Sequence, residues 1–138
     1  MENKQSVVIA DSGSTKTDWL ITGNGHPSIQ FQSAGMNPFY QNRQEIETIL
    51  HNEVVPNLPH DVYDVFFYGA GCANEAAGKP IRDAIADIIA KNAKIEVASD
   101  MLGAARGLCG DKPGLACILG TGANNAFYNG NEIVRSVG

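Results

Sequence analysis

The sequence predicts an α/β domain organised around a mixed sheet, and three observations carry that prediction. Short apolar, β-branched runs open the chain, the first two too close together for a crossover helix between them. Further strand-like runs then alternate with segments whose apolar residues recur at helical spacing. The composition allows a core, since 43% of the 138 residues are apolar and 18% charged. A domain of this size buries roughly two-thirds of its unfolded surface, and the chain is too apolar to be disordered.

The elements follow in order. Ser6 to Ala10 forms a first strand and Asp18 to Thr22 a second, with a Ser/Gly/Thr loop between them, so this pair is antiparallel. Ser28 to Ser33 alternates Ile29 and Phe31 against Gln30 and Gln32, as a half-buried third strand does. Ile46, Ile49, Leu50 and Val54 share one face of a first helix, which Pro56 ends. Val62 to Tyr68 is a fourth strand that stops at Gly69-Ala70-Gly71. Pro80 opens the most regular helix, with Ile81, Ala84, Ile85, Ile88 and Ile89 on one face and Arg82, Asp83 and Lys91 on the other. Lys94 to Ala98 is a fifth strand, and Asp100 to Leu108 a short third helix. The order βββαβαβα is that of a ribonuclease-H-like sheet, three antiparallel strands extended by parallel ones through helices.

After Gly110 the pattern restarts. Leu115 to Leu119 is an apolar strand that empties into Gly120-Thr121-Gly122, and the next strand ends at the hairpin signal Asn129-Gly130. This repeats the opening of the chain, where Val7-Val8-Ile9-Ala10 empties into Asp11-Ser12-Gly13-Ser14. The repeat predicts an internal duplication, with residues 1–112 as a first domain and 113–138 as the opening hairpin of a second, truncated copy.

Several function classes are excluded at this level. No apolar run is long enough to span a membrane, and the early run Val7 to Ala10 is cut by Asp11, unlike a secretion signal. Cys72, Cys109 and Cys117 are too few and scattered for a disulfide framework or a CxxC metal site. His26, His51 and His60 lack the one-turn spacing of a zinc pair. A net charge of −5 argues against nucleic-acid binding. The expectation is a reduced, soluble, cytoplasmic domain with no membrane or nucleic-acid partner.

The densest chemical signal is Asp11-Ser12-Gly13-Ser14-Thr15-Lys16-Thr17. Small residues at a strand-to-strand turn let backbone N–H groups approach an anion, and Ser, Thr and Lys add donors. Asp11 at the strand end suits Mg²⁺ held through water. The stretch is neither a Walker A loop nor a GxGxxG fingerprint, and an ordinary hairpin loop has the same composition. The second loop, Gly120-Thr121-Gly122-Ala123-Asn124-Asn125, strengthens the phosphate reading, because equivalent loops of a duplicated fold would face each other across a cleft. Asp100, between a strand and a helix, has two readings. It is either an N-terminal helix residue favoured by the helix dipole, or a carboxylate at the sheet's carboxyl edge able to accept a proton from a substrate hydroxyl. Asn37 before Pro38 reads as a turn residue, Gly69 to Gly71 as room for a neighbouring backbone, and the cysteines and Trp19 as buried.

With these residues in place, the chain resembles the amino-terminal half of the N-acetylglucosamine kinase-like branch of the actin-like ATPase and sugar kinase superfamily. Asp11 to Thr17 is similar to that family's first phosphate motif, and Ala34-Gly35-Met36-Asn37-Pro38-Phe39 to its sugar-contacting segment. Ser99-Asp100-Met101-Leu102-Gly103-Ala104-Ala105 resembles its catalytic Asp-Ala segment, and Leu119 to Asn124 its second phosphate motif. The resemblance implies transfer of the γ-phosphoryl of ATP, with Mg²⁺, to a hexose such as N-acetylglucosamine. It implies Asp100 as base, Asp11 on the Mg²⁺ side, and Gly13, Ser14, Thr15, Lys16, Gly120, Thr121 and Gly122 around the nucleotide phosphates. Asn37, Gly71 and Asn124 are its implied substrate contacts, a small sugar its implied partner, and a homodimer is compatible with it.

Three residues depart from the family pattern: Ser12 and Ser14 stand where Gly is usual, adding donors, and Met101 stands where Ala is usual. The adenine-binding segment and the second sugar loop are expected beyond Gly138, so this stretch alone is expected to be a poor catalyst. Two other classes compete. One is an ATPase energising electron transfer, like the activators of acyl-CoA dehydratases, although Cys109 and Cys117 lack iron–sulfur ligand spacing. The other is a non-catalytic sugar or nucleotide sensor, which would need no base.

Overall fold

The computed structural model describes residues 6–23, 27–58, 63–89, 94–109, 114–119, 123–128, 130 and 133–137, with side chains up to Arg106 apart from Tyr63. The first sheet has five strands in the order β3-β2-β1-β4-β5. β1 (Ser6–Ser12) and β2 (Lys16–Thr22) form an antiparallel hairpin, and β3 (Ile29–Ala34) pairs antiparallel with β2. β4 (Tyr63–Gly69) lies parallel to β1, and β5 (Ile95–Ser99) parallel to β4. Each parallel strand is reached through helices: α1 (Arg43–Ile49) precedes β4 and α2 (Glu75–Ile88) precedes β5. This is the ribonuclease-H-like topology that the order of sequence patterns predicts. α3 (Asp100–Cys109) leads on to a second, antiparallel sheet of β6 (Gly114–Leu119), β7 (Ala123–Tyr128) and β8 (Ile133–Val137).

Alternation along the strands decides which side is the core. On β1 and β2 the buried apolar residues are Val8, Ala10, Trp19 and Ile21, while Asp11, Lys16 and Asp18 face outward. The inner residues join Val65 and Phe67 of β4 and meet Ile46, Leu50 and Val54 and the α2 residues Ile81, Ala84 and Ile85. Trp19 stacks on Phe31 at 5.9 Å, and its indole N–H donates to Ser33 Oγ at 2.9 Å, so its polar atom is satisfied as well as its ring buried. α3 crosses the opposite face, where Gly103 lies against the Tyr68 ring. There Arg106 Nη1 donates to Tyr68 Oη and to both Glu96 oxygens, each at 3.1 Å.

The helices depart from expectation in two places. α2 starts at Glu75, not at Pro80: Asn74 caps it by accepting from the Ala77 N–H at 2.9 Å, and Pro80 lies inside the helix. The bond that Pro80 cannot donate is lost at the carbonyl of Ala76, a residue exposed to solvent. The first helix is also not one α-helix running to Pro56. After its Asn42–Glu45 capping box it passes at Leu50–Val54 into a wider π-helical turn, and at Val55–Asn57 into a 3₁₀ turn holding Pro56. The buried residues Ile46, Leu50 and Val54 recur every four positions, and the wider turn keeps them on one face where an α-helix would drift. β8 goes beyond the sequence reading, which ended at the Asn129-Gly130 turn signal.

Candidate functional site

The parallel register aligns the residues that carry the chemical signals. Ser12 pairs with Gly69, and Gly69 with Ser99, so the ends of β1, β4 and β5 form one edge. The loops that leave β1 and β4 begin with Gly13 and Ala70, and α3 leaves β5 directly at Asp100. In open α/β sheets this carboxyl edge is where ligands bind.

The first loop is a tight hairpin tip. Gly13 N–H donates to the Lys16 carbonyl at 2.9 Å, which leaves Ser14 and Thr15 at the turn, both exposed. A Cβ built on Gly13 would meet only that carbonyl, at 3.7 Å, so the hairpin itself does not require glycine there. Among the described residues nothing else, its chain neighbours aside, lies within 4 Å of that Cβ position. Ser12 behaves otherwise, since its side chain is fully buried. Its Oγ lies 2.8 Å from Thr17 Oγ1, accepts from the Met36 N–H at 3.0 Å and donates to the Met36 carbonyl. Ser12 is therefore a tie between loops and adds no donor to a ligand, contrary to the expectation from sequence.

Asp11 lies directly across the hairpin ladder from Asp18, on the outward face. The residue is exposed, yet its carboxyl group is partly desolvated against the end of the sheet. That desolvation first, then the carboxylates of Asp100 and Asp18, hold its pKa above the usual carboxylate value, with Lys16 opposing. The effect of Asp100 on Asp11 brings the catalytic and Mg²⁺-side candidates into one neighbourhood. Among the described residues no three His, Cys, Asp or Glu side chains converge into a metal cage. Asp11 and Asp18, paired across the hairpin, could hold a hard divalent cation only through water, and its charge would offset the repulsion that Asp11 meets.

Asp100 is the first residue of α3, but it does not cap the helix. Ser99 does: its Oγ accepts from the Leu102 N–H at 3.0 Å. Among the described residues no hydrogen bond or ion pair engages the Asp100 carboxylate. Beside it, Cys72 is buried, and burial first and then the Asp100 charge push its thiol up to about 12, so it stays neutral. Met101, the departure next to Asp100, is buried.

Asn37 and Gly71, far apart in sequence, come together. Gly71 has φ +82°, and a Cβ there would fall 2.1 Å from Asn37 Oδ1, so only glycine fits. Asn37 is 8% exposed, and its Oδ1 accepts from the Phe39 N–H at 2.9 Å. A backbone N–H can be met only by the oxygen of the amide, so the Nδ2 donors are the end left over. The segment is joined to the hairpin tip, since Gly35 N–H donates to the Thr15 carbonyl at 3.1 Å.

Sequence reasoning missed four contributors here: Asp18, the Ser12 tie, Glu53, which accepts from the Ala34 N–H at 2.9 Å, and Gln41. The exposed, edge-to-face pair Phe39 and Tyr40 also went unread. Only Asp18 had a signal, its place opposite Asp11 in a hairpin. Of the predicted residues, Gly120, Thr121 and Gly122 lie outside the described residues, as does the Asn124 side chain; the backbone of Asn124 pairs with Ile118 across β6 and β7. No helix among the described residues is long and apolar enough to cross a membrane.

No protein-family model and no curated protein matches the chain. Solved structures do. A candidate N-acetylglucosamine kinase from Porphyromonas gingivalis is 46% identical, with a TM-score of 0.83 over 95% of this chain and 47% of its own. A second such candidate, from Chromobacterium violaceum, is 16% identical with a TM-score of 0.67 over 96% and 48%. MreB5 of Spiroplasma citri, bound to AMPPNP, is 10% identical with a TM-score of 0.68 over 99% and 53%; it shares the fold. The chain spans about half the length of these proteins. Its sheet order, its edge of aligned loops and its identity to the Porphyromonas protein agree, and the chain belongs to the N-acetylglucosamine kinase-like branch of the actin-like ATPase and sugar kinase superfamily.

Proposed function

We propose that this chain contributes the acceptor-side and first phosphate-side groups of an ATP-dependent sugar kinase whose substrate is an N-acetylated amino sugar such as N-acetylglucosamine. The observation that carries this reading is the division of labour at the start of α3: Ser99 caps the helix, leaving Asp100 unengaged among the described residues beside Asp11. A helix-capping aspartate would be consumed by the fold. This one is available to a ligand.

In the proposed reaction Asp100 accepts the proton of the sugar hydroxyl as its oxygen bonds to the γ-phosphorus and the bond from that phosphorus to the β-bridging oxygen breaks, yielding sugar phosphate and ADP. In a loose transition state the proton leaves late, so a carboxylate of ordinary basicity suffices. Asn37 donates through Nδ2 to a sugar hydroxyl and orients the acceptor. The open backbone at Gly13, with Ser14, Thr15 and Lys16, offers donors to the nucleotide phosphates. Asp11 and Asp18 would hold Mg²⁺ through water; when bound, it neutralises charge on the phosphates. The test is release of ADP by the product of the complete gene, with Mg²⁺ and a panel of hexoses and N-acetylhexosamines. The reading expects turnover that depends on an amino sugar, and sugar-independent hydrolysis across the whole panel would refute it.

A further inference from the structure

The sugar-side amide of Asn37 is only as well placed as the backbone that carries it, and that backbone has an unusual support. Gln41 reaches back across its own turn and grips the segment at two points. Its Oε1 accepts from the Asn37 N–H at 2.7 Å, and its Nε2 donates to the Gly35 carbonyl at 3.2 Å. One planar amide thus satisfies a donor and an acceptor two residues apart, as a neighbouring strand would. The return half of the turn closes on the same residue, because the Tyr40 and Gln41 N–H groups donate to the Asn37 carbonyl at 3.1 and 3.0 Å. The Asn37 N–H, carbonyl and Oδ1 are all engaged within the turn, and no described hydrogen bond uses its Nδ2.

We infer that Gln41 is a positioning residue for the acceptor sugar, acting through Asn37. The inference rests on the kinase reading and adds a residue with no part in the phosphate chemistry. Gln41 is half-buried and the clamp is local, so its removal leaves the core cluster intact. Its loss frees the Asn37 backbone to sample other orientations, and the ordering cost then falls on sugar binding.

The test compares Gln41→Ala and Gln41→Glu with wild type, using the product of the complete gene. Gln41→Glu keeps an acceptor for the Asn37 N–H but sets a second oxygen against the Gly35 carbonyl. For both variants the expected result is a sugar KM raised about tenfold, with kcat and the ATP KM close to wild type. Amide hydrogen exchange at Asn37 rises in parallel, independently of turnover. A merely structural role would lower kcat for all substrates and the melting temperature while leaving the sugar KM alone. An active kinase whose sugar KM is unmoved by Gln41→Ala overturns this inference and leaves the kinase reading standing. A wild-type protein that phosphorylates no amino sugar overturns both.

Discussion

The hairpin tip at Gly13–Lys16 and the turn at Gly35–Gln41 are joined by the Gly35–Thr15 hydrogen bond, yet they are built on opposite plans. The tip has one backbone bond across it, exposed Ser14, Thr15 and Lys16, and a glycine that the fold does not require. The turn is packed over its first half: Met36 is fully buried, Asn37 nearly so, and a Cβ on Gly35 would lie 2.5 Å from the Gly13 carbonyl. Glycines that look alike in sequence therefore have different physical causes. At Gly35 and Gly71 neighbouring atoms exclude a side chain. At Gly13 nothing among the described residues does, which is the arrangement expected where a ligand's phosphates approach the backbone.

Substitutions at these positions break the comparison in turn. Gly71→Ala has the largest expected effect on the fold, costing about 1–3 kcal/mol for the left-handed backbone alone, with the Asn37 side chain displaced as well. Thermal unfolding reads the loss, and a melting temperature at the wild-type value would show that the corner is not packed as described. Gly13→Ala should leave stability within about 0.5 kcal/mol of wild type while weakening nucleotide binding at least about tenfold. Calorimetric titration of the nucleotide against the melting curve separates the two, and a destabilised protein with normal affinity would invert the assignment.

Asp11→Asn should have the smallest effect, and of opposite sign. A carboxyl whose pKa is raised by folding disfavours the folded state once ionised, so the penalty is absent well below the ordinary carboxylate pKa and appears as pH rises through the folded value. In metal-free buffer the variant should therefore melt higher than wild type at neutral pH, and the gain should vanish in acid. A variant less stable than wild type at neutral pH would mean that Asp11 holds the fold together rather than serving a ligand.

Much of this was legible in the sequence. The apolar runs of the first, second and fourth strands and the alternation of Ile29 and Phe31 in the third mark the strands, and the short first connection forces an antiparallel pair, so the ribonuclease-H-like sheet follows. The Asn42–Glu45 capping box could also be read from spacing alone. The assignment of Ser99 and Asp100 could not. Both residue types favour helix starts, and an offset of one residue decides which is spent on the cap. Ser12 was misread for a related reason, because a hydroxyl in a glycine-like loop looks like a ligand donor until the chain folds Met36 onto it. Gln41 and Glu53 act on backbone groups whose positions depend on turn geometry and on the π-helical turn, neither of which leaves a pattern in composition.

Asp100→Asn, made in the product of the complete gene, tests whether Asp100 is the base. The amide preserves shape and, with Ser99 still capping α3, the fold. Sugar-dependent kcat should fall by about 10²–10⁴-fold, with sugar and ATP binding and the melting temperature close to wild type. Unchanged turnover in that variant would contradict that role and return Asp100 to a residue at the start of a helix.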